Sequence, residues 1–419
     1  MLAQFTIKNY LSFGEKVTFS MVKSKSAKGL PSHVFPATES LSLLRGAAFY
    51  GANASGKSNF VKALEFVKQR VVQAQSTQST SDVRPFKLDR VLRNAPSEFE
   101  FIVLLEGVFV TYGVVLDSQR VHREWCYRDA SGQDSLVFER VTSEEGVTEI
   151  RFGEALSAEV QKRQEVAQAT HENQLFLNAA LTHSLPEFSA LYTWFRDSLT
   201  IVTPNTPYEH KEVRPCQDAD YTAPLSLFLA QMGLGIRDAD SKRIPIEEVD
   251  FASQETLNQL LTSAPDTDGD YIALVNGSAV VVEVQQGRKE AYGLLLRVYH
   301  ETFDGKPIAF HFEEVSEGTQ RLIQLHPLVS LLHAPESCSV VVIDGLDSLL
   351  HPHLARHFVQ IALGVSDTPP STQLLFTAHE TQLLATDTLR TDEIWFVEKD
   401  SVGASHLSSL VEFKYPTGL

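Results

Sequence analysis

The sequence predicts an α/β fold: a phosphate-loop core, an antiparallel β lobe and a helical insertion. Three observations carry this expectation. A short apolar strand, Ala47–Tyr50, runs into Gly51-Ala52-Asn53-Ala54-Ser55-Gly56-Lys57-Ser58, and Asn59–Val67 continues with helical periodicity. Two later apolar runs, Ser339–Asp344 and Gln373–Thr377, read as buried parallel strands. Between them and the loop, Glu98–Phe152 is a succession of short β-rich runs broken by Gly- and Asp-containing turns.

A chain of 419 residues has room for two or three lobes, and we divide it into 1–153, 154–265 and 266–419. With 43% hydrophobic and 21% charged residues it has the composition of an ordinary globular protein. Apolar runs all fall short of the ~20 residues that cross a bilayer, and MLAQFTIKNYLSF lacks the basic-then-apolar design of a secretory signal. Cys126, Cys216 and Cys338 are far apart and form no CxxC pair, so no disulfide framework or metal cluster is expected and a reducing cytoplasm is the default. The net charge of −17 argues against a generic grip on nucleic acid, which needs dense Lys and Arg. It leaves room for a local basic surface and points more towards protein partners.

In order along the chain, Phe5–Tyr10 and Val17–Ser20 alternate polar and apolar residues around the Ser12–Glu15 turn, reading as two strands. Lys23–Glu39 is a polar loop. The phosphate loop follows, its helix extending to about Gln75, and Gln73–Ser81 reads as a polar linker that could hold a metal-contacting Gln. Four runs, Phe99–Leu105, Phe109–Leu116, Arg123–Tyr127 and Leu136–Arg140, form an expected meander. Helical spacing then marks Ala155–Ala169, Asn173–His183, Glu187–Leu199, Ala223–Gly233 and Ser253–Leu261. From Tyr271 the β pattern returns over Tyr271–Val275, Ala279–Val284, Leu294–Glu301 and Phe310–Glu314, and again near the end over Glu393–Glu398 and His406–Phe413.

The stretch from Gly51 to Ser58 is a full match to G-x-x-x-x-G-K-[ST] in its required strand–loop–helix setting. Successive backbone N–H groups of Gly51, Asn53, Ala54, Ser55, Gly56 and the residues after them would cradle phosphate oxygens at a helix N-terminus. Lys57 would reach the terminal phosphates, the Ser58 hydroxyl would take a Mg²⁺ position, and Asn59 opens the helix. A nucleoside triphosphate is the implied ligand. A second group of residues follows at a distance. Ser316-Glu317-Gly318 opens an apolar helix, where hydroxyl, backbone N–H and helix dipole converge as they would on a phosphate; taken alone the signal is weak, and Ser316 reads more readily as an N-cap. Asp344 ends a buried strand, the position of a Mg²⁺-holding carboxylate, and His379 lies just past the end of another.

The order GANASGKS, SEGTQR, VVVIDGLDSLLHP, FTAH is similar to ABC-type ATPases of the SMC and RecF kind. It most resembles the OLD-like bacterial branch linked to restriction and phage defence. NYLSF near the start, SEFEF…YG, LFLNAA at 175–180 and the DEIWFVEKD…SLVEF ending at 392–413 carry the finer resemblance, which thins across Ser184–Asp270. The resemblance implies an ABC-type head using ATP and Mg²⁺. One copy would supply Gly51–Ser58, Asp344 and His379, the last as a γ-phosphate sensor, and a second copy would supply Ser316 and Gly318. ATP would then join the chain to itself as a homodimer or higher oligomer.

One departure matters. The family pattern places Glu after the Mg²⁺-strand Asp to polarise water, but here Gly345 follows Asp344. Loss of that base lowers hydrolysis by roughly 10²–10⁴-fold. Asp347, Glu317, Glu313 or Glu314 are the carboxylates that could stand in; otherwise the chain is a slow ATPase working as a binding switch, the reading we favour. OLD-type proteins often add a Toprim nuclease, yet only forty residues follow His379. The expectation is therefore an ATP-dependent anti-phage component that answers a phage-derived trigger and controls a separate effector, a nuclease or toxin. The alternative is a RecF- or SMC-like ATPase that clamps DNA.

Overall fold

The computed structural model describes the chain except residues 73–82, 130–133, 155–159, 183–184, 204–213, 217–221, 250–253, 265, 267, 276–277, 334–337, 365–369, 386 and 414–419. It divides into two compact units. The first comprises Met1–Val202, Leu331–Leu346 and Val359–Leu419; the second comprises Thr203–Ser330 and Asp347–Phe358.

The first unit opens with β1 (Leu2–Lys8) and β2 (Val17–Ser20), then the small pair β3 (Val34–Pro36) and β4 (Ser42–Leu44), and reaches β5 (Gly46–Tyr50) and helix α1 (Lys57–Val72). The meander follows as β6 (Ser97–Leu105), β7 (Val108–Leu116), β8 (Val121–Asp129), β9 (Asp134–Thr142) and β10 (Thr148–Phe152). Together with β1 and β2 these strands form one seven-stranded antiparallel sheet in the order β10-β9-β8-β7-β6-β1-β2. The period-2 pattern of β6 shows why: Phe99, Phe101 and Val103 are buried, while Glu98, Glu100 and Ile102, which alternate with them, are only partly so. Helices α2 (Val160–Ala169), α3 (Phe176–Thr182) and α4 (Ser189–Thr193) lead to β11 (Leu199–Val202).

In the second unit, β12 (Arg214–Cys216), α5 (Thr222–Gln231), β13 (Ile236–Ile244) and α6 (Gln254–Ser263) precede β14 (Gly269–Val275), β15 (Ser278–Gln285), β16 (Arg288–Glu301) and β17 (Pro307–His311). The sheet order is β12-β14-β15-β16-β13, with β17 also paired to β16. Val249, Leu260, Tyr271, Val280, Val282 and Val284 form a core of its own. Helix α7 (Glu317–His333) then leads to β18 (Val340–Ile343), α8 (Pro352–Leu363), β19 (Gln373–Thr377), β20 (Ile394–Lys399) and β21 (Ser405–Ser409).

The expected helices between 154 and 265 appear as α2 to α6, but strands β11, β12 and β13 lie among them. The pattern missed β13 because it is a half-exposed strand whose sequence, IRDADSKRI, is mostly charged and polar. Sheet pairing to β16, not composition, makes it a strand. The linker Gln73–Ser81, with its candidate Gln, lies outside the described residues.

The site depends on the second sheet of the first unit, ordered β11-β18-β19-β5-β20-β21. Its first five strands are parallel and only β21 is antiparallel. Every residue of β5, β18 and β19 is buried, as continuous apolar strands require. Parallel pairing puts the carboxyl ends of these strands on one edge, where ligands of open α/β sheets bind. Helix α1 packs through Phe60 against Phe5 and Phe19 of the antiparallel sheet and Phe49 of the parallel one, with ring centroids 5.6, 5.4 and 4.5 Å apart. Gln373 adds a polar tie: its side chain accepts from Leu2 N and donates to the carbonyls of Leu2 and Leu44.

Candidate nucleotide site

The loop from Gly51 to Gly56 leaves the carboxyl end of β5 and enters α1 at Lys57. Two positions have left-handed backbone, Ala54 at φ 63° and Gly56 at φ 121°. The two motif glycines are required by what lies behind them. A side chain at Gly51 would run into the Val397 carbonyl of β20, and one at Gly56 into the hydroxyls of Ser405 and Ser12. Lys57 is buried and its ammonium donates to the carbonyls of Gly51 at 2.6 Å and Ala52 at 3.1 Å. Asn53, Ala54 and Ser58 are exposed, whereas the Ser55 hydroxyl is buried without a hydrogen-bond partner among the described residues.

A brace of hydroxyls holds this loop from outside. Ser405 Oγ donates to the Ser55 carbonyl at 2.6 Å and meets Ser12 Oγ at 2.7 Å. The Asn59 amide donates to the same Ser12 hydroxyl at 2.8 Å, and Ser405 N–H donates to the Ser12 carbonyl. Asn59 thus tethers the first turn of α1 to the Ser12 turn. Sequence reading gave no role to Ser12, although NYLSF contains it, and had no signal for Ser405, which is 393 positions away.

Asp344 follows β18 and is buried. Its Oδ1 accepts from Ser58 Oγ at 3.1 Å and from Thr377 Oγ1 at 2.7 Å. Thr377, the last residue of β19, also accepts the Gly345 N–H at 2.7 Å, and its carbonyl accepts from Leu346 N–H. Thr377 therefore fixes both the carboxylate and the turn beyond it. It was overlooked because an interior strand threonine has no motif of its own. Gly345 has φ 69°, a conformation that L side chains rarely adopt. A carboxylate side chain simply added there would be strained. His379 is exposed two residues beyond Thr377.

Ser316, Gly318 and Asp347 belong to the second unit. Ser316 is exposed; its Oγ accepts from Thr319 N–H at 3.2 Å and pairs with Thr319 Oγ1, so it does cap α7. A Cβ at Gly318 would lie 3.0 Å from the Leu349 carbonyl, and Leu349 is itself left-handed at φ 67°. Asp347 is half-buried at the start of the Asp347–Leu350 turn.

The donor set fits a magnesium-bound triphosphate: loop amides, a lysine, a hydroxyl and a carboxylate 3.1 Å apart. Among the described residues no group of three or more His, Cys, Asp or Glu could hold a metal alone. Mg²⁺ does not need one, since it is commonly held by one carboxylate, water and the substrate's phosphates. When bound, the ion would neutralise phosphate charge. Ser58 and Asp344 would hold it, Lys57 would exchange its loop carbonyls for phosphate oxygens, and Thr377 would keep Asp344 in its rotamer.

A strand–loop–helix phosphate loop with a hydrogen-bonded serine and strand-end aspartate is the site of a P-loop ATPase. The family model described as "AAA domain, putative AbiEii toxin, Type IV TA system" matches residues 47–385, and the chain belongs to that family. Among solved structures, the SMC head domain from Thermotoga maritima matches at 12% identity and a TM-score of 0.41, covering 97% of this chain and 98% of that one. A likeness that distant carries no argument about function. No curated protein matches the chain. No helix among the described residues is long and apolar enough to cross a membrane.

Proposed function

We propose that the chain is an ATP-binding switch: Mg-ATP joins two copies, and the joined state holds or releases a separately encoded toxic effector in bacterial defence against phage. The observation that carries the nucleotide part is the Ser58–Asp344–Thr377 chain at the end of an intact phosphate loop. Gly51–Asn59 and Asp344 would bind the nucleotide, with His379 sensing its terminal phosphate. Ser316 and Gly318 would complete the site of the other copy, as the order of motifs suggests. Hydrolysis would be slow, since Gly345 has no side chain and Asp347 is the remaining candidate base on this turn. The family description, which names a toxin of a toxin–antitoxin system, supports a role in controlling toxicity, as does the resemblance to OLD-like proteins.

The test is the molar mass of the purified protein by light scattering with and without Mg-ATP. Wild type should gain mass with nucleotide, while Lys57→Ala and Ser316→Arg should not. A wild-type mass indifferent to Mg-ATP would remove the association on which the reading depends.

A further inference from the structure

The segment Val83–Asn94 departs from the charge balance of the rest of the molecule. Lys87, Arg90 and Arg93 are exposed and form no ion pair with any described residue, although the chain carries 53 acidic against 36 basic residues. The segment's one carboxylate, Asp89, is occupied: its Oδ1 accepts from Val91 N–H at 2.7 Å and Leu92 N–H at 2.8 Å, and these bonds hold its pKa below the usual carboxylate range. Among the cations stand two large apolar side chains, Leu88 at 68% exposure and Val91 at 76%. Leu88 leans on the β20–β21 turn, where a Cβ on Gly403 would lie 2.6 Å from its Cδ1, and the neighbouring Val402 is 67% exposed.

This surface is held in shape. The Asn9 amide donates to the carbonyls of Leu92 at 2.7 Å and Ala95 at 2.8 Å, its Oδ1 accepts from Phe86 N–H at 3.0 Å, and Leu11 N–H donates to the Arg84 carbonyl. A loop tied down in this way that exposes leucine and valine among exposed cations has the make-up of a protein contact: an apolar centre, a charged rim and little conformational entropy to lose on binding. Scattered solvating lysines would need neither the anchoring nor the exposed aliphatics.

We infer that Val83–Asn94 and the Asp400–Gly403 turn form a docking surface for an acidic, amphipathic segment of a partner protein. Charge complementarity selects that occupant: carboxylates meet Lys87, Arg90 and Arg93, while apolar side chains cover Leu88, Val91 and Val402. The Asn9–Phe13 turn that shapes this surface also carries Ser12, which braces the phosphate loop, so partner and nucleotide share one support. The inference rests on the reading that the chain acts through a separate polypeptide.

The experiment uses a fluorescent synthetic peptide of Glu, Asp, Leu and Phe, with oligoglutamate and a duplex oligonucleotide as comparison probes, read by anisotropy on the full chain. The mixed peptide should bind with salt-sensitive affinity and oligoglutamate much more weakly. Reversing Lys87, Arg90 and Arg93 to Glu should weaken the mixed peptide about tenfold or more, and Leu88→Ser with Val91→Ser should do so at unchanged charge. Failure of the peptide to bind would overturn the inference. So would tighter binding of duplex indifferent to Leu88→Ser and Val91→Ser, or self-association abolished by the charge reversal, each of which assigns the surface to another occupant. ATP binding measured on the same samples separates failure of this inference from failure of the nucleotide reading.

Discussion

Thr377 is where one side chain decides most. Its hydroxyl donates to Asp344 and accepts from Gly345 N–H, and it is buried. Thr377→Val keeps the shape but leaves a buried N–H unsatisfied, so the variant should lose about 1–3 kcal/mol of stability. It should also bind Mg-ATP more weakly than wild type while binding ATP in EDTA equally, because the lost contact positions the candidate metal carboxylate. Urea unfolding and nucleotide titration check the two parts; an unchanged Mg²⁺ dependence would make Thr377 purely structural. Ser405→Ala should act on the loop itself, lowering ATP affinity with or without Mg²⁺, since Ser405 donates to the Ser55 carbonyl. The contrast shows what was legible beforehand. Gly51–Ser58 announces itself because consecutive residues do the work. Thr377, Ser12 and Ser405 do not, because folding brings them partners that lie between 32 and 393 positions away.

At the scale of elements, the buried polar ties explain motifs that looked like mere resemblance. Glu124 of β8 is fully buried and accepts from the backbone N–H groups of Phe176 and Leu177 and from Tyr112 OH. Burial raises its pKa, with Arg140 opposing. The LFLNAA run thus begins α3 on a carboxylate of the meander, a pairing no periodicity reveals. The DEIWFVEKD run is likewise structural at its start: Arg390 grips Asp392, and Glu393 meets His33 at 3.0 Å. In α7, His326 is buried beside Phe228, and desolvation lowers its pKa from 6.5 to about 4. A base with a depressed folded pKa leaves the unfolded chain holding more protons between those values, so stability is present above pH 6.5 and lost as pH falls towards 4. The loss is about 3 kcal/mol. His326→Gln removes that component, so the difference in urea midpoint between wild type and variant should shrink as pH is lowered from 7 to 4.5. A constant difference would mean that His326 does not titrate there.

For the whole molecule, the α/β class, the antiparallel meander and the buried strands β5, β18 and β19 follow from runs readable in the sequence. The strand β13, mostly polar, and the left-handed turn at Gly345 do not, because each is set by neighbours remote in the chain. Gly345 matters most for function. Its φ of 69° is a conformation that L side chains rarely adopt, so a Glu placed after Asp344 would be strained. The proposed switch, which would bind ATP and hydrolyse it slowly, rests on the missing side chain at this position. The measurement that meets this claim head on is the rate of phosphate release from Mg-ATP by wild type, with Lys57→Ala as the inactive reference and Asp347→Ala beside it. The account predicts tight nucleotide binding with release only slightly above Lys57→Ala, and no further loss in Asp347→Ala. Rapid turnover by wild type that Asp347→Ala abolishes would place the catalytic base on Asp347 and contradict it.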